Sequence, residues 1–314
     1  MSSLEEFRRT VSDGVELATY RWSPSGSQVR GVVHIAHGMA EHGARYESFA
    51  SSLVDAGFVI YAHDHRGHGK TVGSEAELGF FANQGGWQRV VDDLHEHVQA
   101  DKAAHPECPV VLFGHSMGSL LGQEYLIQYG DGLAGAILCG SSGKPPLLAQ
   151  LGRVVARLER VRQGPRGRSL VIHGLAFGPF NKPFEPGPTD FEWLSRDRAQ
   201  VDAYVADDRC GFLCTNQLWI DLLDGIQQMS DPERQSRIPS DLPVFIVAGS
   251  EDPVGDRTAS LHQLVAAYQA AGLTRVDSRF YEGARHEILN ETNRDQVERD
   301  LVQWVESVVP VPGS

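Results

Sequence analysis

The chain has 314 residues, enough to bury one large α/β core or a core that carries an insertion. Its 28 Lys and Arg against 41 Asp and Glu give a formal charge of -13, and such an acidic protein repels a phosphate backbone. We therefore expect no nucleic-acid partner.

The cysteine content and the apolar runs of the sequence indicate the cellular compartment in which the protein is expected. Four cysteines in a chain of this length are too few for a disulfide framework, so we expect them to pack in the core. The first residues, MSSLEEFRRTVSDG, lack the apolar segment of a signal peptide. Nor does any apolar run approach the ~18–20 residues that cross a bilayer. The sequence predicts a soluble, cytoplasmic protein.

The first part of the chain alternates strand and helix patterns. A hairpin is predicted over 6–10 and 15–22. Predicted strands follow at 31–36, 58–62, 110–113 and 134–139, with predicted helices at 44–56, 87–102 and 116–129. The strands after the hairpin are apolar along their whole length, which is typical of a parallel sheet covered on both faces by helices.

The alternation stops between 141 and 239, where helix patterns are broken by Gly- and Pro-rich stretches. It then resumes with predicted strands at 243–248 and 276–281 and predicted helices at 258–271 and 293–308. The sequence thus predicts an α/β protein with an eight-stranded, mostly parallel sheet. Residues 1–140 and 240–314 would form its core, and residues 141–239 a helical cap inserted after the sixth strand.

A Gly-x-Ser-x-Gly motif, Gly114-His115-Ser116-Met117-Gly118, lies between a predicted strand and a predicted helix. A serine on such a sharp turn projects its hydroxyl above the sheet, and small residues two positions before and after it let strand and helix approach. The competing interpretation is an ordinary strand-to-helix turn. The surrounding parallel sheet favours Ser116 as a nucleophile.

A serine nucleophile needs a base and an acid that orients the base, and on such a turn these follow the serine in the order acid, then histidine. Asp252 lies just after a predicted strand, and the proline that follows it suits a fixed loop. Glu251 and Asp256 are its competitors. His286 lies in the loop after the next strand, whereas its competitor His262 falls in a helical pattern and is expected to face outward.

Backbone N–H groups must stabilise the oxyanion that develops on the substrate. Met117 begins the helix after Ser116, where N–H groups are unpaired and the helix dipole is positive. The second donor is expected in the loop after the third strand, His37-Gly38-Met39, which makes the Met39 N–H the candidate. His37 is expected to shape this loop rather than act as a base.

The segments HGMAEHGARYESFA, HDHRGHGKTVG, GHSMGS, AGSEDPVGD and YEGARHEILNE follow one another as in a known family. The chain resembles the monoacylglycerol lipase and lysophospholipase-like branch of the α/β-hydrolases, which carry a serine aminopeptidase-type hydrolase domain. The resemblance covers nearly the whole chain and is looser in 141–239, where NKPFEPGPTDFEWLSRD and ADDRCGF look like bacterial members. The sequence departs from the family pattern at Ser119, where many relatives have a second glycine.

This resemblance implies an α/β-hydrolase fold and a cofactor-free serine esterase or lipase. The matching positions would make Ser116 the nucleophile, Asp252 the acid and His286 the base. Met39 and Met117 would supply the oxyanion donors. The implied substrates are monoacylglycerol- or lysophospholipid-like monoesters with an apolar acyl part. The alternatives on the same triad are other small esters, including xenobiotic esters, and amides, and a further alternative is a non-catalytic binding protein on the same fold.

The loop HDHRGH at 63–68 supports a rival hypothesis from another class. Two-metal hydrolases use the pattern H-x-H-x-D-H, and His63, His65 and His68 reproduce its histidines. Gly67 stands where the aspartate should be, and the later strand ends do not supply the other ligands in order. We therefore expect no metal and no cofactor at the site.

The predicted cap is rich in large apolar side chains, which makes an apolar acyl-chain pocket plausible. Its first helix, 147–161, is amphipathic. Apolar residues recur at helical spacing at positions 147, 151, 154, 158 and 161, with arginines at 153, 157 and 160 on another face. The favoured interpretation packs the apolar stripe inward and solvates the arginines. The alternative is a weak contact of this basic helix with an anionic membrane surface.

Overall fold

The computed structural model describes residues 3–25, 29–143 and 147–309, with the backbone alone at 147–150. Eight strands form one sheet in the order β1-β2-β4-β3-β5-β6-β7-β8. The strands are β1 Ser3–Thr10, β2 Glu16–Ser23, β3 Gly31–Ala36, β4 Phe58–His63, β5 Val110–His115, β6 Gly135–Cys139, β7 Val244–Gly249 and β8 Val276–Tyr281. Strands β1 and β2 pair antiparallel, β2 also runs antiparallel to β4, and every other pairing is parallel. The predicted mostly parallel α/β sheet is confirmed.

Ten α-helices accompany the sheet within the described residues. They are α1 Glu47–Asp55, α2 Gly86–Ala104, α3 Met117–Tyr129, α4 Leu147–Gln163, α5 Leu170–Asn181, α6 Arg198–Ala206, α7 Asn216–Met229, α8 Pro232–Gln235, α9 Ala259–Ala270 and α10 Arg294–Val308. Helices α4 to α8 all lie between β6 and β7, which is the position predicted for the inserted segment. In the described part of the chain, none of these helices is long and apolar enough to cross a membrane.

Two apolar clusters cover the two faces of the sheet. One contains α2, α3 and α9 through residues such as Leu94, Leu121 and Leu264, and the other contains α1 and α10 through Phe49 and Leu301. Strands β3 to β7 are buried at every position because both faces are covered. All four cysteines are free and buried or half-buried, in line with the prediction from their number.

Helix α7 packs on the core, because Leu218, Trp219 and Leu222 belong to the same apolar cluster as α2 and α3. Its start is fixed by Thr215, whose side-chain oxygen accepts the N–H of Leu218. Helix α7 thus helps to seat the inserted segment on the sheet domain.

The predicted apolar stripe of helix α4 faces solvent, contrary to the favoured prediction, with exposures of 57% for Leu151, 64% for Leu158 and 85% for Val161. Arg153 is half-buried and pairs with Asp224 on α7, and the exposed Arg157 pairs with the same carboxylate. The periodicity indicated an amphipathic helix, but not which of its faces packs inward, where Ala156 is buried. Leu147, the first member of the predicted stripe, lies outside the described side chains.

Candidate active site

Ser116 lies at the turn between β5 and α3. Its φ of 53° and ψ of -120° place it in the strained conformation expected of a nucleophile on a sharp strand-to-helix turn. A Cβ on Gly118 would lie 2.0 Å from the Ala36 carbonyl oxygen, and one on Gly114 would lie 2.4 Å from the Gly118 oxygen. Glycine is therefore required on both sides of Ser116 for β3, β5 and α3 to approach.

Asp252 and His286 meet directly in the loops after β7 and β8. The His286 ring nitrogen Nδ1 lies 2.9 Å from Oδ2 of Asp252, and both side chains are buried. The other carboxylate oxygen of Asp252 accepts the N–H of Val254 at 2.9 Å, which fixes the direction of the carboxylate. This arrangement holds the imidazole by Nδ1 and leaves Nε2 for proton transfer.

The competing residues lie elsewhere. His262 is exposed on α9, as predicted. Glu251 is a half-exposed partner of Arg257, and Asp256 is exposed. Asp252 is thus the buried acid of the three and the one bonded to His286.

Ser116 and His286 line one cavity of about 330 Å³. Part of its wall comes from aromatic residues of the inserted segment, among them Phe177, Phe191, Trp193 and Phe212. The Trp193 ring packs on the His286 ring with 4.9 Å between centroids, and His115 packs on the same imidazole at 4.8 Å. An apolar chain has room beside the serine and the histidine.

The predicted oxyanion donors come from the start of α3 and from the loop after β3. Met117 is the first residue of α3, so its N–H is in the turn that has no intrahelical acceptor. Met39 lines the cavity in the loop after β3. As predicted, His37 shapes this loop. Its Nδ1 lies 2.8 Å from the Gly38 oxygen, and its Nε2 accepts the N–H of His65 at 2.9 Å.

The charged groups around His286 raise the pKa of its imidazole. Burial lowers the pKa of His286, but the Asp252 carboxylate and, beyond it, Glu287 and Glu41 raise it above its ordinary value of 6.5. The neighbouring His115 differs, because burial and the proximity of His286 lower its pKa to about 4. Of these two adjacent imidazoles, only His286 is poised to take up a proton near neutral pH.

Sequence reasoning did not identify a buried ion-pair network beside the site. Arg45 makes two 2.7 Å hydrogen bonds to Glu287 and one of 2.6 Å to Glu41. Burial raises the pKa of Glu287, but Arg45 outweighs it and lowers this pKa to about 2. The only sequence clues are the positions of Glu41 in the HGMAEH motif and of Glu287 directly after the predicted base.

The histidines of the 63–68 loop do not converge on a common point. His63 Nδ1 bonds to His34, His65 Nε2 to the His37 oxygen and His68 Nδ1 to the Arg66 oxygen. Burial lowers the pKa of all three, that of His68 to about 4. These side chains act as neutral structural groups that support the neighbouring loops.

Among the described residues, one group of three side chains lies close enough together to share a metal ion: His42, Asp207 and Cys210. The Asp207 carboxylate is already bonded there by Arg209 and by His42. This group contains none of the three histidines of the two-metal hypothesis.

The family model described as serine aminopeptidase, S33, matches residues 27–293. The monoacylglycerol lipase of Mycolicibacterium smegmatis is 27% identical over 94% of both chains. The human monoglyceride lipase is 28% identical over 96% of this chain and 91% of its own. Among solved structures, a carboxyl esterase from Bacillus coagulans in complex with glycerol has a TM-score of 0.90 and 27% identity, covering 99% of this chain and all of its own.

The family match covers β3 to β8, the turn that carries Ser116 and the loops of Asp252 and His286. The two lipases extend the similarity to 94% and 96% of the chain. The predicted fold and family are confirmed. The chain belongs to the S33 serine aminopeptidase family of α/β-hydrolases and is a serine ester hydrolase.

Proposed function

We propose that the protein hydrolyses monoesters that join an apolar acyl chain to a small polar alcohol, as in monoacylglycerols, through an acyl-enzyme on Ser116. The observation that carries this proposal is the mixed lining of the cavity around Ser116. Aromatic residues of the inserted segment line it together with the buried polar side chains Glu41, His115 and Glu287. An amphiphilic ester presents the same two kinds of surface.

The proposed reaction uses the residues in the order of the triad. The Ser116 Oγ attacks the ester carbonyl carbon while His286 Nε2 takes its proton, and Asp252 stabilises the imidazolium. The N–H groups of Met39 and Met117 stabilise the oxyanion. The ester C–O bond then breaks, and the alcohol leaves with the proton from His286. Water, activated by His286, attacks the acyl-enzyme and releases the fatty acid and free Ser116.

Two kinds of relative support the substrate class. The relatives named above are monoacylglycerol and monoglyceride lipases, and the solved carboxyl esterase is in complex with glycerol. Lysophospholipids share the monoester linkage but carry a larger headgroup. Small synthetic esters and amides are the second candidates, since the same triad chemistry would serve them.

We further propose that residues 1–140 and 240–314 are the catalytic core and that 141–239 is a cap that selects the substrate. The cap helices enter the chain between β6 and β7, and Phe177, Phe191 and Phe212 from this segment form the cavity wall. Chain-length preference would then depend on these aromatic side chains rather than on the sheet.

The test is a substrate panel on the wild type and Ser116→Ala. The panel contains monoacylglycerols of graded chain length, a lysophosphatidylcholine, and matched p-nitrophenyl esters and anilides. We expect the highest kcat/KM on a monoacylglycerol and a loss of roughly 10⁴-fold or more in kcat for Ser116→Ala. A fluorophosphonate probe should label the wild type and not the variant. Near wild-type rates in Ser116→Ala would refute the mechanism, and a clear preference for the lysophospholipid or the anilides would refute the substrate class.

We also propose that the outward face of α4 and α5 rests on a lipid surface. Three further apolar side chains, those of Leu170, Val171 and Leu175, are exposed on α5, a helix in contact with α4. Exposed apolar patches of this kind mark contact sites. Since Arg153 and Arg157 are paired with Asp224, the contact would depend on apolar burial more than on charge.

Vesicle flotation tests this contact, with phosphatidylcholine vesicles and vesicles that also contain phosphatidylglycerol. We expect the wild type to float with both and Leu158→Glu to partition roughly ten-fold less, since burial of one leucine contributes about 1.5–3 kcal/mol. Val205→Glu is the matched control, because Val205 is half-exposed on α6, outside the α4–α5 face. No flotation of the wild type, or an equal loss in both variants, would contradict the proposal.

A further inference from the structure

The oxyanion loop, residues 37–43 after β3, is held at two points on either side of Met39. Before Met39, the Gly38 N–H donates to the Glu41 carboxylate at 2.5 Å. After Met39, the Ala40 carbonyl oxygen accepts two hydrogen bonds, from the Tyr204 hydroxyl at 3.0 Å and from the Gly211 N–H at 2.9 Å. The first anchor belongs to the loop itself, whereas both donors of the second belong to the inserted segment.

Ala40 requires this second anchor. Its φ of 53° lies in the left-handed region, which a residue with a Cβ adopts only where its surroundings hold it there. In the described part of the chain, the hydrogen bonds of the Ala40 backbone are these two, both accepted by its carbonyl oxygen. Without them, the Ala40 backbone would be expected to relax, and the Met39 peptide next to it would turn with it.

The side chain of Tyr204 is held by hydrogen bonds at its hydroxyl and by contacts with its ring. Its hydroxyl donates to Ala40, and the Gly211 N–H is shared between the Ala40 oxygen and the Tyr204 oxygen, which it meets at 3.1 Å. The Arg45 guanidinium lies over its ring at 4.9 Å, and the Phe191 ring packs on it at 5.2 Å between centroids. Burial raises the pKa of the Tyr204 hydroxyl well above 10, so it remains a donor throughout the working pH range.

We propose that Tyr204 is a positioning residue through which the inserted segment sets the oxyanion hole. Its hydroxyl holds the Ala40 carbonyl and thereby aims the Met39 N–H at the developing oxyanion. The oxyanion hole is then complete only when the segment 204–211 is seated on the loop. This inference rests on the proposed function, because it takes Met39 as an oxyanion donor.

Tyr204→Phe tests the proposal because it removes the hydroxyl and keeps the ring. We expect kcat to fall roughly ten-fold, less than for loss of an oxyanion donor itself, while KM stays within about two-fold. A boronic acid that forms a tetrahedral adduct with Ser116 should lose affinity by a similar factor, whereas the fatty-acid product should bind as before. The pH midpoint of kcat/KM should not move, because His286 and Asp252 are untouched.

Tyr268→Phe is the matched control. Tyr268 is a second buried tyrosine, on α9, and its hydroxyl has no hydrogen-bond partner within the described part of the chain. This variant should retain wild-type kcat and boronate affinity, and thermal unfolding of both variants would report any general loss of stability.

The outcomes separate the two proposals. If Tyr204→Phe raises KM and leaves kcat and boronate affinity unchanged, the hydroxyl contacts substrate and the positioning role is wrong. Wild-type behaviour of Tyr204→Phe in every measurement also overturns it. Activity in Ser116→Ala would instead refute the proposed function, whatever the effect of the tyrosine substitution.

Discussion

The turn that carries Ser116 and the outer helices of the inserted segment are built in opposite ways. At the turn, backbone atoms approach so closely that a Cβ on Gly118 would lie 2.0 Å from the Ala36 oxygen. On α5, a Cβ on Gly174 or Gly178 would meet nothing within 4 Å, and Leu170 is 72% exposed. The proposed chemistry is thus placed on an element with almost no conformational alternatives. The cavity wall is placed on an element that tolerates change.

The two regions also differ in how their charged side chains are paired. Beside the proposed triad, buried acids are compensated by buried partners, as in the pairing of Arg45 with Glu287. On the inserted segment, pairs such as Arg157 with Asp224 are half-exposed and contribute little to stability. Removal of a charge near His286 should therefore change the chemistry, whereas removal of a charge on α7 should not.

The largest effect is expected from Asp252→Asn. The neutral amide would no longer hold the imidazole tautomer or stabilise its protonated form, and kcat should fall by about 10⁴-fold. The matched control is Asp224→Asn on α7, which should retain wild-type kcat. Steady-state kinetics on one monoacylglycerol measures both, and a comparable loss in the two variants would contradict the contrast between the regions.

The same two variants also test the pH dependence of kcat/KM. The base must be neutral to act, so kcat/KM should rise with pH through the pKa of His286, with a wild-type midpoint above 6.5. In Asp252→Asn, burial would still lower this pKa and the largest opposing charge would be gone, so the midpoint should move to lower pH. Asp224→Asn should leave the midpoint in place. An upward shift in Asp252→Asn would show that the carboxylate does not raise the pKa of the base.

The sheet and the proposed triad were predictable because each rests on local pattern. Ser116 directly follows β5, and Asp252 and His286 lie in the loops after β7 and β8; parallel strands bring the residues after their carboxyl ends to one edge of the sheet. The pairing of Arg45 with Glu287 joins residues 242 positions apart, and no local pattern connects them. The bonds from Tyr204 and Gly211 to Ala40 escaped prediction for the same reason.

The orientation of α4 shows a different limit. Its spacing predicted two faces correctly, but the inward face could not be chosen without a partner helix. Ala156 packs inward and Arg153 and Arg157 reach Asp224 on α7, while Leu158 is left at the surface. Amphipathic periodicity predicts that a helix has two faces, and contacts with distant residues decide which of them packs inward.

An intermediate effect is expected from Gly118→Ala. The added methyl group would meet the Ala36 backbone rather than a movable side chain, so β3 and α3 must separate. We expect a loss of about 3 kcal/mol in the free energy of unfolding, at the upper end for overpacking. Urea unfolding followed by tryptophan fluorescence measures it. A stability equal to the wild type would mean that this turn adjusts far more freely than its contacts indicate.

The smallest effect is expected from Gly174→Ala, the matched substitution in α5. Nothing lies within 4 Å of the added Cβ, and the position is inside a helix, where alanine is favoured over glycine by about 1 kcal/mol. Stability in urea should therefore stay level or rise by up to about 1 kcal/mol. Because Gly174 lines the cavity, KM for the longest monoacylglycerols should change by about two-fold at most while kcat is retained. A destabilisation as large as that of Gly118→Ala would mean that α5 is packed as tightly as the turn at Ser116, since only a close neighbour could make one methyl group so costly.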